Sequence, residues 1–376
     1  MRIAFYAPMK SPTHPTPSGD RAFARLLMRA LRKSGHEVIL ASRFRSYDGV
    51  GSLDRQRQLL RRGKQALENA YRRLENQPPD LWFTYHLYHK APDFIGPILS
   101  KRFGIPYVIA DASHAPKQRK GKWASGYQAA EAAIKTADRL LCFDPLDAAC
   151  LKEVRPTGVS IEPLLPFTAQ RKPSQFEQGM ARRDLAASLN LPTDMPWLIT
   201  VAMMRDDAKS RSYEMLATVM KKLKNKEWAL LIAGDGENRT QVEAQFGADL
   251  TVRFLGTLNG KSLSRLYAAG DIFVWPSLNE GCGMALLEAA ASGLPVLSGA
   301  RPGPEQFIIE GETGYLCQEG NVDALHKKLS FLLANPDHCK TLGNNGARLV
   351  SVNHSLDKAS RRLNETLQPL CMENAA

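Results

Sequence analysis

Short apolar runs alternate along the whole chain with longer stretches whose apolar residues recur at helical spacing. In the first half, Arg2–Pro8, Glu37–Ser42, Leu81–His86, Tyr107–Asp111, Arg139–Phe143 and Ile161–Leu165 have the continuous apolar character of strands buried on both faces. Between the first two, Phe23, Leu26, Leu27, Ala30 and Leu31 fall at i, i+3, i+4, i+7 and i+8, and Gly35 follows as a stop. Strand–helix–strand crossovers of this kind predict a parallel sheet. The second half repeats the plan without repeating the sequence. Its expected strands are Trp197–Met203, Trp228–Ala233, Thr251–Leu255, Asp271–Pro276, Pro295–Ser298 and Gly314–Cys317, with helices at Tyr213–Leu223, Lys261–Ala269, Gly283–Ser292 and Val322–Leu333.

The pattern divides the chain into an α/β domain at 1–165, a polar, proline-flanked linker at 166–178 and a second α/β domain at 179–355. A helix at 356–370 has the option of packing back on the first domain. The fold class expected is two Rossmann-like parallel-sheet domains facing a cleft. Ligands of open α/β sheets sit beyond the carboxyl ends of the strands, so the site is expected there.

A length of 376 residues suits two domains, and 44% hydrophobic with 23% charged residues excludes disorder, collagen and coiled coil. No apolar run approaches bilayer length, and the first residues read as a strand and not as a signal peptide. The six cysteines form no Cys-x-x-Cys pair and are expected as reduced thiols, with no metal site, in a cytoplasmic protein. Charge changes the picture. Residues 1–165 hold 27 Lys/Arg against 15 Asp/Glu, and the rest of the chain is balanced, so the whole net charge of +12 sits in the first half. That asymmetry suggests a polyanionic partner for this half: membrane lipid, nucleic acid or phosphorylated glycan.

The strongest chemical signal is Asn279–Val296, which follows a strand and enters a helix. Glu280 lies in the turn and Glu288 in the second helical turn, and Gly281 and Gly283 clear side chains from the helix start. Two carboxylates so spaced can accept from two hydroxyl-bearing parts of one ligand, while helix-start N–H groups suit a phosphate or sugar. The plainer alternative is a dipole-favoured helix-entry carboxylate followed by a surface glutamate. Beyond Trp197–Met203, Arg205 and Lys209, with Arg211 behind them, are candidates to face a diphosphate; a solvated, self-paired loop is the alternative. The long loop Met9–Asp20 puts Gly19 at a helix start, and it reads otherwise as a flexible proline-rich loop. No Gly-x-Gly-x-x-Gly is present, which argues against a nicotinamide or flavin enzyme. His86 reads best as a core histidine.

Glu280 through Glu288 resembles the Glu-x7-Glu signature of the retaining glycosyltransferases of family 4, whose two-Rossmann-domain fold is called GT-B. Ala233-Gly-Asp-Gly-Glu237, Phe254-Leu-Gly256, Gly311–Leu316, Pro17–Asp20 and Gly35–Val38 fall in the same register. The resemblance implies that Glu288 binds the ribose hydroxyls of a nucleotide diphosphate sugar. It implies that Glu280 binds the donor sugar with the amides of Cys282, Gly283 and Met284, and that Gly19, Arg205 and Lys209 serve the phosphates. Where the family usually has a bulky aromatic, this chain has Cys282. The family often carries a histidine at the end of the fourth strand; His114 is the candidate, with Asp111 as the alternative. The family implies retention of configuration and no metal or other cofactor.

Leu53–Leu74 forms a basic amphipathic stretch, with leucines at 53, 60, 67 and 74 among Arg55, Arg57, Arg61, Arg62, Lys64, Arg72 and Arg73. It fits either an ordinary crossover helix or a membrane-surface helix. The function expected is transfer of a sugar to a hydroxyl acceptor, lipid-linked or an envelope glycan, by an enzyme peripheral at the inner face of a membrane. The rivals are a GT-B-fold epimerase or hydrolase and a polyanion-binding protein without catalysis. Nucleic acid is disfavoured, since no helix-turn-helix, zinc finger or aromatic-studded basic strand is present.

Overall fold

The computed structural model describes residues 1–223, 227–248 and 251–373. The chain divides into two compact units, one of Met1–Leu165 with the stretch from Leu356 onward, the other of Pro166–Ser355. The first contains β1 (Arg2–Tyr6), α1 (Gly19–Lys33), β2 (Glu37–Leu40), α2 (Leu53–Leu74), β3 (Leu81–Leu87), α3 (Gly96–Phe103), β4 (Tyr107–Ala112), α4 (Ala124–Ile134), β5 (Arg139–Cys142), α5 (Pro145–Lys152) and β6 (Ile161–Pro163). Its sheet runs β2-β1-β3-β4-β5-β6, every pair parallel.

The second unit contains α6 (Gln175–Leu189), β7 (Trp197–Val201), α7 (Ala208–Lys222), β8 (Ala229–Ala233), α8 (Arg239–Phe246), β9 (Val252–Gly256), α9 (Gly260–Ala269), β10 (Ile272–Trp275), α10 (Met284–Ala291), β11 (Val296–Gly299), β12 (Gly314–Cys317), α11 (Val322–Ala334) and α12 (Pro336–Asn353). Its sheet order is β12-β11-β10-β7-β8-β9, again all parallel. The last helix, α13 (Leu356–Glu373), belongs to the first unit and packs on α1.

Every expected strand forms, because parallel strands covered on both faces need unbroken apolar runs; β1, β3, β7, β8 and β10 are almost wholly buried. Two expectations are corrected. Helix α7 begins at Ala208 and not at Tyr213, because the Asp207 carboxylate accepts from the Lys209 amide at 2.8 Å and caps it. Residues 166–178, expected as a linker, are tied into the second unit. Thr168 bridges to Ser355, Gln170 donates to Ser292 Oγ at 3.1 Å, and Ser174 with Glu177 forms the capping box of α6.

In each sheet the strand order reverses once. The reversal lies between β1 and β3 in the first unit and between β7 and β10 in the second. Loops leaving two such strands diverge to opposite faces and leave a crevice at the carboxyl ends. Among the described residues no helix is long and apolar enough to cross a membrane.

Candidate functional site

The reversal point of the second sheet brings together residues far apart in sequence. Thr200 Oγ1 on β7 donates to Val274 O on β10 at 2.7 Å, holding the two strands together just before their loops part. From the β7 side come Arg205 and, in the first turn of α7, Lys209. From the β10 side comes Glu280. Lys209 Nζ lies 3.1 Å from Glu280 Oε2, and the Trp275 indole N–H donates to the same oxygen at 3.4 Å. Arg205 donates to the Met203 sulfur at 2.9 Å and makes no ion pair among the described residues. A thioether is a weak acceptor, so this guanidinium remains well suited to an anion. Arg211 is exposed on α7.

The turn carrying Glu280 is strained and braced. Ser277 and Asn279 adopt φ of 56° and 51°, in the left-handed region that costs a non-glycine residue energy. Ser298 Oγ donates to Ser277 Oγ at 2.7 Å, Ser212 Oγ accepts from the Leu278 amide at 3.2 Å, and Glu319 accepts from the Asn279 amide at 2.7 Å. Gly283 caps α10 at φ 64°, where a Cβ would crowd Leu286 and Pro304. The first N–H groups of α10, from Met284 onward, have no carbonyl of their own helix to bond and carry its positive dipole end. Cys282 and Gly281 lead into that turn.

Glu288 lies on α10 and faces α9, where the buried Tyr267 hydroxyl donates to its Oε2 at 3.1 Å. The residue keeps some exposed surface, but desolvation of the carboxyl dominates. It pushes the pKa up to about 7, against the opposing pull of the Tyr267 hydrogen bond. This is no ordinary surface glutamate.

In the first unit the reversal point joins Asp20, next to Gly19 at the start of α1, to His86 at the end of β3. His86 Nδ1 lies 3.0 Å from Asp20 and 3.7 Å from Asp111, the last residue but one of β4. His86 and Asp111 both hold positive φ, 61° and 63°. Burial alone would lower the His86 pKa, but Asp111 and Asp20 raise it to about 9, so the ring is an imidazolium at neutral pH. Burial pushes the Asp111 carboxyl up, and His86 draws it back down. The expectation of a core histidine at 86 is therefore corrected. His114 is turned elsewhere: it is buried, with Nε2 2.9 Å from the Tyr127 hydroxyl and 3.4 Å from Glu131. Asp111 is thus the residue that the structure gathers at the strand ends, and His114 is not. The loop before Gly19 is pinned and not loose, since Arg21, Arg25 and Arg45 donate to the carbonyls of His14, Pro12 and Met9 at 2.9, 2.6 and 2.9 Å.

Among the described residues no group of three or more His, Cys, Asp or Glu is arranged to hold a metal ion. Among the described residues Cys142, Cys150, Cys282, Cys317 and Cys339 form no disulfide; the Cys371 side chain lies outside the described residues.

Residues 183–349 match the family model described as Glycosyl transferases group 1. The sulfoquinovosyl transferase SQD2 of Arabidopsis thaliana is 40% identical over 137 residues, 35% of this chain and 26% of that protein. The matched stretches cover 26% to 65% of the first curated relatives' own lengths. Among solved structures, a sucrose-phosphate synthase from Thermosynechococcus elongatus superposes with a TM-score of 0.76 at 19% identity, covering 99% of both chains. Anabaena Alr3699/HepE in complex with UDP-glucose gives 0.72 at 16% identity, covering 98% of this chain and 100% of that one. The fold is GT-B: two Rossmann-like units, each with a six-stranded parallel sheet.

Proposed function

We propose that the chain is a glycosyltransferase that moves a sugar from a nucleotide diphosphate sugar to a hydroxyl acceptor with retention of configuration. The observation that carries this reading is the pairing of Lys209 with Glu280 at the β7/β10 reversal point, with Arg205 on the same β7 loop as Lys209 and Glu280 on the loop that leads into the helix of Glu288. Glu288 accepts from the ribose hydroxyls. Glu280 and the amides of Cys282, Gly283 and Met284 take the sugar. Arg205 and Lys209 face the diphosphate, which gains negative charge as the glycosidic bond breaks. The Lys209–Glu280 pair is then a resting arrangement, and a diphosphate competes for the lysine and frees the carboxylate for sugar hydroxyls. The acceptor oxygen bonds to the anomeric carbon on the face that the phosphate leaves, and the acceptor proton passes to the departing phosphate oxygen. No metal takes part.

The group 1 match over the second unit supports the donor class, as does the UDP-glucose named with one structural neighbour. On the first unit, Asp111, held by His86, takes the strand-end role for which His114 was the first candidate and Asp111 the alternative. Gly19 lets the α1 start approach a phosphate. The acceptor is a glycan or lipid-linked, and the basic first unit docks peripherally on an anionic membrane.

A thermal-shift panel of UDP-, GDP- and ADP-sugars, run with EDTA throughout, tests the reading. A donor at a hundred times its dissociation constant should stabilise the protein by ~2.7 kcal/mol. Glu288→Ala should abolish that shift while the variant stays folded. A panel in which no nucleotide sugar stabilises the wild-type protein overturns the reading.

A further inference from the structure

Leucines spaced by seven drift only ~20° per step around a helix, so Leu53, Leu60, Leu67 and Leu74 share one stripe of α2. Leu67 and Leu74 are buried, at 8% and 1% exposure, whereas Leu53 and Leu60 keep 68% and 47%. The core-facing stripe therefore overruns the core. It continues along a groove of about 550 Å³ within the first unit, walled by Leu53, Leu59, Leu60, Pro92, Phe94 and Trp123. That volume falls in the ~300–1,000 Å³ range of small-molecule sites.

The groove is built into the fold. A Cβ on Gly126 would overlap the carbonyl of His89, and one on Gly63 would press on Phe94. The Trp123 indole N–H donates to Asp48 O at 2.9 Å, and Gln56 Nε2 donates to Lys122 O at 2.7 Å, fixing the wall to α2. Asp48 is the single acid of the lining, and its carboxylate is occupied by the amides of Val50 and Gly51 and by Gln56. The rim is cationic. Lys90 and Lys122 place their ammonium groups 4.4 and 4.6 Å from the Trp123 ring centroid, and Arg57 lines the α2 side. A row of rings, His86 to Tyr88 to His89 to Trp123, with centroids 5.2, 5.3 and 5.8 Å apart, connects the groove to the strand-end cluster.

An apolar slot with a positive mouth, whose one lining acid is already satisfied and whose Arg57 shares its charge with the exposed Asp54 at 3.6 Å, complements a hydrocarbon chain that carries an anionic head. We propose that the groove takes one acyl chain of an anionic phospholipid, with the lipid phosphate held by Lys90, Lys122 and Arg57. This deepens the membrane reading of the first unit and needs nothing from the donor chemistry of the second.

Trp123 supplies the test. Trp82, Trp197, Trp228 and Trp275 are at most 2% exposed, so Trp123 is the tryptophan that a lipid chain can reach. The full chain is mixed with phosphatidylglycerol vesicles whose acyl chains are brominated, with unbrominated phosphatidylglycerol vesicles, and with phosphatidylcholine vesicles. Brominated phosphatidylglycerol should quench fluorescence, and Trp123→Phe should lose the quenching while still sedimenting with the vesicles. Leu60→Asp, a change at an exposed position, should lower partitioning about tenfold. Lys90→Gln and Lys122→Gln should each lower it about fivefold. Binding to phosphatidylglycerol without quenching would leave a purely electrostatic surface and overturn the groove, as would equal binding to both lipids or binding to neither. The nucleotide-sugar thermal shift, read in the same variants, separates this outcome from failure of the transferase reading.

Discussion

Among the described residues one tyrosine hydroxyl donates to the Glu288 carboxyl, and burial holds its pKa near 7. Two ribose hydroxyls would favour the charged form and pull that value down, so nucleotide binding should expel a proton. At pH 7 the release should be about half a proton per site, and affinity should rise with pH through 7 and then level off. Calorimetry in buffers of different ionisation enthalpy reads this directly, and Glu288→Gln should show no proton release. The sign for folding is opposite. Between the ordinary glutamate value and 7 the folded state binds more protons than the unfolded one, so this group makes stability fall as pH rises. Glu288→Gln should therefore resist urea better than the wild type at pH 8 and about equally at pH 4. Proton uptake on binding, or a less stable variant at pH 8, would remove Glu288 from the ribose. Its position was legible in the sequence because two glutamates framed by glycines stand on one local segment. His86 was not, because a single histidine after an apolar run looks like core, and its partners Asp20 and Asp111 come from other elements.

The same contrast holds for elements. Parallel strands announce themselves as unbroken apolar runs, and all twelve were readable. The first turn of α7 was not, since Ala208–Arg211 is polar and its only signal is the Asp207 cap. The loop Arg301-Pro-Gly-Pro304 shows its role only in the fold. In the fold it buttresses the β10–α10 turn, where a Cβ on Gly303 would overlap the Gly281 carbonyl. Gly281 itself has open space around its Cα. Gly303→Ala should thus cost about 1–3 kcal/mol of stability and weaken nucleotide-sugar binding, because relief of the overlap moves the turn of Glu280. Gly281→Ala should do neither. Denaturant midpoints and donor titrations of the pair check this; equal effects would show that close packing at Gly303 is not what holds the turn.

At the scale of the molecule, the chain passes from the first unit to the second at Leu165 and returns at Leu356. The two passages lie side by side. His354 Nδ1 is 2.7 Å from Pro166 O, and burial lowers its pKa, so the neutral ring donates to that carbonyl. The returning helix α13 completes the first core with Leu356, Leu363, Leu367 and Leu370. Ser360 Oγ donates to Ala30 O at 2.9 Å, Lys33 pairs with Asp357 at 3.3 Å, and Arg362 pairs with Glu162 at 2.5 Å. A first unit closed by a segment so distant in sequence has its stability distributed between the two ends of the chain. Leu367 is wholly buried, and Leu367→Ala should cost about 2–5 kcal/mol. That loss should fall on one unit: amide hydrogen exchange in β1 to β6 should accelerate, while β7 to β12 keep their protection and the nucleotide-dependent stabilisation of the second unit survives. Equal loss of protection in both sheets would mean that α13 holds the two units as one cooperative body, and the first would then no longer count as a separate folding unit.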